Sequence, residues 1–303
     1  MLCALPSTLY AFCYLSPGKY DIFYLLKKVL SVKNILTIAG FDPSSGAGIT
    51  KDLDVFFSLG MHGFSVPTCL VNQGPGGVIG VYPIPSDQFS YMLEAVKDGA
   101  RIDGVKIGVM WDESHVEVLS EFIRAIKEDE GVFIPVVLDP VISAKNNTCL
   151  LTDRGLKKLV DSVLPLTTVI TPNIDEAHLI TGTKIECLND MKACAEAILN
   201  MGPNAVVIKG GHLEGEPIDL LYDGSEFTTW QKKRIDREVH GTGCTFSSLL
   251  ISFLVHGYHL KDAFIMSEQY IQDLLKESYR IAGNGYFYMS SAIESSGFKR
   301  KVP

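Results

Sequence analysis

The sequence predicts an α/β domain: a mainly parallel sheet flanked by helices, with an antiparallel hairpin late in the chain. Three observations predict it. From Asn34 onward, short β-branched runs alternate with helical stretches, the rhythm of repeated βα units with right-handed crossovers. The runs are apolar throughout rather than alternating, as strands covered on both faces are. One late segment, 218–230, does alternate, and Asp223-Gly224 inside it supplies a two-residue hairpin turn.

In chain order, strands are expected over 35–39, 65–71, 104–109, 132–138, 168–171 and 205–209. Helices are expected between them over 49–59, 87–98, 112–128, 153–164, 174–181 and 190–201. The helix at 174–181 follows Asn173, with Glu176 three residues on, the spacing of a capping box. After the hairpin come helices over 242–255 and 260–281. The first carries Phe246, Leu249, Leu250, Ile251, Phe253, Leu254 and Val255, so it is apolar almost all round and belongs in the core. No linker-like stretch divides this region, which reads as one domain over 34–282 with a tail over 283–303.

Residues 1–33 break the pattern. They are apolar and aromatic, with Leu9, Tyr10, Phe12 and Tyr14 and then Phe23 to Leu26, and no basic residue precedes Lys19, which argues against a secretory signal. Two readings stay open: an amphipathic extension that packs on the body or a partner, or an upstream stretch taken in by a wrong start site. No apolar run approaches the roughly 18 residues that a membrane-spanning helix needs.

The 303 residues include 27 basic and 35 acidic side chains, a net charge of −8. That balance offers no broad cationic footprint for nucleic acid or an anionic membrane. A highly anionic ligand therefore needs a local site made of glycines, helix ends and a few lysines. Seven cysteines, scattered and without a CxxC pair, read as reduced thiols of a cytoplasmic protein.

Four segments sit where strands end, the usual ligand-binding edge of open α/β sheets. Ala39-Gly40-Phe41-Asp42-Pro43-Ser44-Ser45-Gly46-Ala47-Gly48 lacks the third glycine of a GxGxxG fingerprint, and the chain has no GxxxxGK[ST] loop. By itself this segment is equally a flexible turn. Lys209-Gly210-Gly211 puts a lysine beside glycines, where it serves either a phosphate or solvent. His240-Gly241-Thr242-Gly243-Cys244 opens the buried helix, whose free N–H groups and positive dipole end favour an anion. Cys244, in the first turn, lies where that field favours thiolate, against the plainer reading of a small buried hydrophobe. Asp139 and Glu176 at adjacent strand ends suit Mg²⁺, a hard cation that takes few carboxylates, while Glu176 alone fits an ordinary helix cap.

Together these segments resemble the hydroxymethylpyrimidine and phosphomethylpyrimidine kinases of thiamin biosynthesis, within the ribokinase-like superfamily. The stretches AGFDPSSGAGITKDL, VKIGVM, VVLDPVISAK, ITPNIDEAHLITG, VVIKGGHLEGEPIDLLYDG and HGTGCTFSSLL occur in the family's order, over about 34–272. The resemblance implies a ribokinase-like three-layer sandwich, MgATP as donor and homodimers. It implies that Asp52 and Gln73 hydrogen-bond an aminopyrimidine, with Gly40, Val109 and Val141 as pocket wall. A carboxamide can meet the donor/acceptor edge of such a ring with both of its polar atoms. Lys209 resembles the phosphate-contacting lysine, and Asp139 and Glu176 resemble acids that act on Mg²⁺, partly through water. Gly241, Thr242 and Gly243 resemble the anion hole, and Cys244 holds the catalytic-base position that many relatives in the superfamily fill with Asp.

The sequence departs from the pattern in places. Val109 stands where the family usually has Met, Ser45 replaces a usual glycine, Thr50-Lys51 replace Gln-Ala, and the loop at Gln73 differs from the usual QNT. The implied activity is phosphorylation of 4-amino-5-hydroxymethyl-2-methylpyrimidine and then of its monophosphate, at one site. Two alternatives stand beside it: a pyridoxal or dual-specificity vitamin B6 kinase, and a non-catalytic ligand-binding regulator on the same fold.

Overall fold

The computed structural model describes residues 32–74, 77–130, 133–144, 146, 148–211, 216–235, 237–280 and 287–289. The chain divides into two compact units, Met1–Lys33 and Asn34–Pro303, and the architecture below is that of the second. The expectations for the extension 1–33 and the tail 283–303 fall almost wholly outside the described residues.

A sheet is built from β1 (Asn34–Phe41), β2 (His62–Gly74), β3 (Gly77–Pro83), β4 (Gly104–Ile107), β5 (Val136–Leu138), β6 (Val169–Ile170), β7 (Ala205–Gly210), β8 (Ile218–Tyr222) and β9 (Phe227–Gln231). Its order is β3-β2-β1-β4-β5-β6-β7-β8-β9. Strands β2, β1, β4, β5, β6 and β7 pair in parallel. β8 and β9 continue antiparallel as the hairpin expected at Asp223-Gly224. At the other edge β3 pairs antiparallel with β2. A second, small sheet joins β10 (Val239–His240), β12 (Phe287–Tyr288) and β11 (Tyr279–Arg280).

The helices are α1 (Gly48–Ser58), α2 (Ser86–Gly99), α3 (Glu113–Glu130), α4 (Asp153–Ser162), α5 (Ile174–Thr181), α6 (Leu188–Leu199), α7 (Thr242–Val255) and α8 (Leu260–Lys276). They cover both faces, which gives three layers. Because side chains alternate along a strand, Leu36, Ile38, Val105, Ile107, Val136 and Leu138 pack against Phe89 and Leu93 of α2, Leu119 and Ile123 of α3, and Cys194 and Ile198 of α6. Their neighbours Ile35, Val137, Val169, Ala205 and Val207 face the other way, against Phe56 of α1, Leu249 and Leu250 of α7 and Phe264 of α8.

The differences from expectation lie at the ends of elements. β2 is longer than 65–71 because β1 pairs with its first residues, His62 to Phe64, and β3 with its last, Asn72 to Gly74. β5 keeps only its last three residues of the expected 132–138; Val132 is outside the described residues. α8 stops at Lys276, and the chain turns into β11 by Tyr279, so the helix is shorter than 260–281.

Candidate active site

The parallel strands end along one side of the sheet, and the residues after them form the site. Beyond β1, Asp42 is buried and gathers the loop that follows. Its Oδ1 accepts the Ser44 N–H at 2.8 Å, and its Oδ2 accepts the Ser44 hydroxyl and the Ala47 N–H, both at 2.9 Å. The same Oδ2 lies 3.0 Å from His240 Nε2. Burial works to raise the Asp42 pKa, but hydrogen bonds from the His240, Ser44 and Gln73 side chains and the Ser44 backbone outweigh it and lower the value to about 2. The carboxylate is therefore an acceptor only, and His240 Nε2–H is the donor. The loop closes on Gly48, at φ +60, where a Cβ would stand 2.2 Å from the Gly40 carbonyl oxygen. Ser45, in the position the family usually gives to glycine, also has positive φ, at 58°.

The residues expected to line a pyrimidine pocket fall into two groups. Gly40 faces Val71 and Val109, whose side chains a Cβ at residue 40 would meet at 3.2 and 3.7 Å. Val109 and Val141 are half-buried at the ends of adjacent parallel strands, and Gln73, also half-buried, hydrogen-bonds Asp42. Asp52 is placed differently. It is fully buried on α1, where Oδ2 accepts from Thr37 Oγ1 at 2.5 Å and Lys106 Nζ at 2.9 Å, while Oδ1 accepts from Ser248 Oγ at 2.7 Å. Three of the roughly four acceptor positions of a carboxylate are thus engaged by protein.

At the other end, α7 begins at Gly241, whose φ is +77°. The first backbone N–H accepted there is that of Thr245, by the Gly241 carbonyl at 2.9 Å, so helix geometry leaves the N–H groups of Thr242, Gly243 and Cys244 pointing out of the helix end. Lys209, at the end of β7, reaches this turn: a Cβ on Gly243 would lie 3.1 Å from Lys209 Nζ. That ammonium donates to Asp139 Oδ1 at 2.8 Å. Burial works against its charge, but Asp139 and Glu176 outweigh this and raise its pKa. Glu176 completes the capping box of α5, accepting the Asn173 N–H at 2.8 Å while Asn173 Oδ1 accepts the Glu176 N–H at 2.9 Å. Burial pushes its pKa up to about 7, against the pull of Lys209 and with a push from Asp139. The helix-cap reading of Glu176 is therefore realised, and its carboxyl also lies in the field of Lys209 and Asp139.

Cys244 sits in the first turn of α7, half-buried. Burial raises its thiol pKa to about 11; Lys106 pulls it down, Asp139 and Asp52 push it up, and the Gly48 N–H pulls it down. The helix end alone does not produce a low-pKa thiol. Sequence reasoning missed Lys106, which is fully buried in β4 and paired with Asp52. A lysine inside an otherwise apolar strand was the available signal, since lysine is almost never fully buried unless paired. It also left Asp42 and His240, both inside quoted motifs, without a role.

This is the arrangement of an α/β phosphotransferase of the ribokinase-like type, with an open glycine-bounded helix end, a lysine on it and acids beside it. The phosphomethylpyrimidine kinase family profile matches residues 42–288, and the chain belongs to that family. A hydroxymethylpyrimidine/phosphomethylpyrimidine kinase of Aquifex aeolicus is 36% identical over 256 residues, covering 84% of this chain and 98% of the relative. The crystal structure of a phosphomethylpyrimidine kinase from Clostridium difficile 630 superposes with a TM-score of 0.71 at 35% identity, over 80% of this chain and 99% of that one. An ADP complex of Bacillus subtilis pyridoxal kinase gives a TM-score of 0.76 at 31% identity, over 86% and 98%.

Proposed function

We propose that the chain transfers the γ-phosphoryl group of ATP to the hydroxymethyl group of 4-amino-5-hydroxymethyl-2-methylpyrimidine, and then a second phosphoryl group to the monophosphate. The observation that carries this reading is the meeting of Lys209 with Gly243 at the open end of α7. The acceptor hydroxyl lies against Cys244 in this reading, and the pyrimidine lies among Gly40, Gln73, Val109 and Val141. Asp52 is assigned to the layer behind that wall, since Thr37, Lys106 and Ser248 occupy its oxygens.

In the first transfer the substrate oxygen bonds to the γ-phosphorus, the bond from that phosphorus to the β,γ-bridging oxygen breaks, and the hydroxyl proton passes to Cys244 reacting in its thiolate form, which becomes the thiol. ADP and the phosphomonoester leave. The N–H groups of Thr242, Gly243 and Cys244 and the Lys209 ammonium stabilise the charge on the transferring group, and preorganised donors of this kind are typically worth about 10²- to 10³-fold each. Asp139 and Glu176 offer hard oxygen ligands beside Lys209, a donor set that suits Mg²⁺ bound through one or two carboxylates, water and phosphate. When bound, the ion neutralises phosphate charge.

Pure protein with hydroxymethylpyrimidine and MgATP is expected to yield mono- and then diphosphate, and absence of both would sink the reading. Cys244→Ala is expected to bind the pyrimidine and lose turnover; full activity would refute the role of the thiol. The likeness to pyridoxal kinase supports a second reading, dual specificity, which competition between pyridoxal and hydroxymethylpyrimidine decides. We also assign a homodimer and a cytoplasmic setting, with 34–282 as the catalytic domain; light scattering tests the dimer. Among the described residues no helix is long and apolar enough to cross a membrane.

A further inference from the structure

We infer that Tyr288, in the strand β12, is a positioning residue for phosphoryl transfer: its ring backs His240 and the loop after β1, and Lys51 holds the strand in place. The inference rests on the reading of that junction as part of a kinase site.

Strand alternation fixes the direction of the ring. β12 pairs in parallel with β10, Phe287 beside Val239 and Tyr288 beside His240, and the Phe287 N–H donates to the Glu238 carbonyl at 3.0 Å. Met289 belongs to the apolar layer of Val239, Leu250 and Phe264, and Phe287 packs against it. Tyr288 therefore points away from that layer, to the side of His240. It is buried all the same, at 4% exposure. Its ring stands edge-on to the His240 imidazole, with centroids 6.0 Å apart and planes at 86°. It also lies against Gly46, where a Cβ would come within 2.8 Å of it.

The strand is tied down from α1. Lys51 is buried, and its ammonium donates to the Met289 carbonyl at 3.2 Å and to Asp54 Oδ2 at 2.8 Å. Lysine is almost never buried without partners. Here one partner is on its own helix and the other is a carbonyl 238 residues along the chain. The stretch 42–51 thus meets β12 twice, at Gly46 and at Lys51. Tyr288 in turn touches both sides of the junction. Gly46 lies in the loop whose Ser44 and Ala47 N–H groups bind Asp42, and His240 donates to that same carboxylate. Core packing accounts for Phe287 and Met289, and not for a buried ring set against Gly46 and His240.

The test compares Tyr288→Leu, Tyr288→Phe and Lys51→Met with the wild type in the full chain. Hydrogen exchange, read by mass spectrometry without substrate, should quicken in the peptide over 41–50 of Tyr288→Leu and, less, of Lys51→Met, while peptides from α2 and α3 keep their wild-type rates. Tyr288→Phe, which keeps the ring, should restore the wild-type rate. With hydroxymethylpyrimidine and MgATP, Tyr288→Leu should lose about 10- to 100-fold in kcat with KM within about threefold, since misplacement by about 1 Å can cost about 10²-fold. Tyr288→Phe should recover that loss. Tyr288→Leu added to Asp42→Asn should lower kcat little further, because the ring acts through His240 on Asp42. Four results overturn the inference: unchanged exchange over 41–50 in whichever of Tyr288→Leu and Lys51→Met folds, quickened exchange in every peptide, loss of the fold in both, or additive losses with Asp42→Asn. Exchange is read without turnover, so a wild type that phosphorylates no pyrimidine would remove the kinase reading and leave the exchange to decide whether the ring holds the loop.

Discussion

The Asp42 carboxylate accepts a hydrogen bond from His240 Nε2 across 3.0 Å, joining residues 198 positions apart in the chain. The contact ties the loop after β1 to the turn that opens α7, and hence the proposed pyrimidine side of the site to its phosphoryl side. The packing is close enough to need glycines. A Cβ on Gly46 would stand 2.1 Å from the His240 ring and 2.8 Å from the Tyr288 ring, and one on Gly241 would stand 1.8 Å from the Gly46 carbonyl oxygen.

Asp42→Asn keeps the shape of this junction and removes its charge. A hydrogen bond to a charged group contributes about 1.5–3 kcal/mol, so the loop should loosen while the rest of the domain stays folded. The expected result is a fall in kcat of roughly ten- to a hundredfold, as for groups that orient a site, with ADP binding by calorimetry little changed. His240→Asn should give a similar loss, and the double variant little more than either single one. Additive losses would show that the two residues act separately. The pKa of Asp42 is lowered to about 2 from 3.8, so its contribution to stability is fully present above about pH 4 and fades as pH falls through 2. Acid unfolding of Asp42→Asn should lack that component.

Gly241→Ala and Gly60→Ala separate backbone strain from collision. Both glycines have φ near +78°, at +77° and +78°, but a Cβ at Gly60 meets nothing within 4 Å. Gly60→Ala should cost only the left-handed strain, about 1–2 kcal/mol, and leave turnover intact. Gly241→Ala must also displace Gly46 or the start of α7, and its kcat should fall by about 10²-fold or more, the typical effect of losing one aligned donor. Equal effects on turnover in the two variants would remove the case for the α7 end as the anion site.

Much of this was legible in the sequence because it obeys local rules. The buried parallel strands show as unbroken apolar runs, the hairpin as Asp223-Gly224, and the α5 start as Asn173 with Glu176. β3 was not legible: Ile79 and Tyr82 are exposed on an edge strand, so no buried face imposes a period on 77–83. The two-residue strands of the small sheet are too short to carry a period at all. The site was legible as a set of glycine turns and strand-end acids, which are features of backbone and dipole. Its long-range pairs were not, because Lys106 with Asp52 and Asp42 with His240 depend on which helices lie over which strands. The Cys244 thiol shows the limit most clearly, since the helix-end field visible in the sequence argued for thiolate and burial, visible only in the fold, raises its pKa to about 11.

Glu176→Gln preserves the capping box, since a glutamine oxygen also accepts the Asn173 N–H, and removes only the charge. Burial raises the wild-type carboxyl to about 7 from 4.5, so its ionised form is lost as pH falls through neutrality. Wild-type kcat/KM for MgATP should therefore show an acid limb near pH 7, and Glu176→Gln should lose that limb and be about 10- to 100-fold slower at higher pH. Because the folded pKa is raised, the protonated carboxyl favours the fold below 4.5 and that advantage disappears as pH rises through 7. The melting temperature of Glu176→Gln should thus gain on the wild type across that window. An acid limb that persists in the variant would place the titration elsewhere.

Ser45→Gly tests whether the loop after β1 carries strain. Ser45 holds φ 58° with its N–H bound to the Asp42 carbonyl at 3.1 Å, a left-handed conformation that costs an L-residue about 1–2 kcal/mol. Glycine removes that cost but adds freedom to the unfolded chain, which returns roughly 0.5–1 kcal/mol. A net gain of about 0.5–1 kcal/mol in urea unfolding is expected, with the Asp42 hydrogen bonds to residues 44 and 47 unaffected. Turnover should stay within about twofold, since relief of backbone strain at residue 45 leaves the Asp42–His240 contact and the α7 end in place. A loss of stability would mean that the serine side chain holds the turn, and a large change in kcat would mean that the loop's resting conformation is set by residue 45 rather than by Asp42.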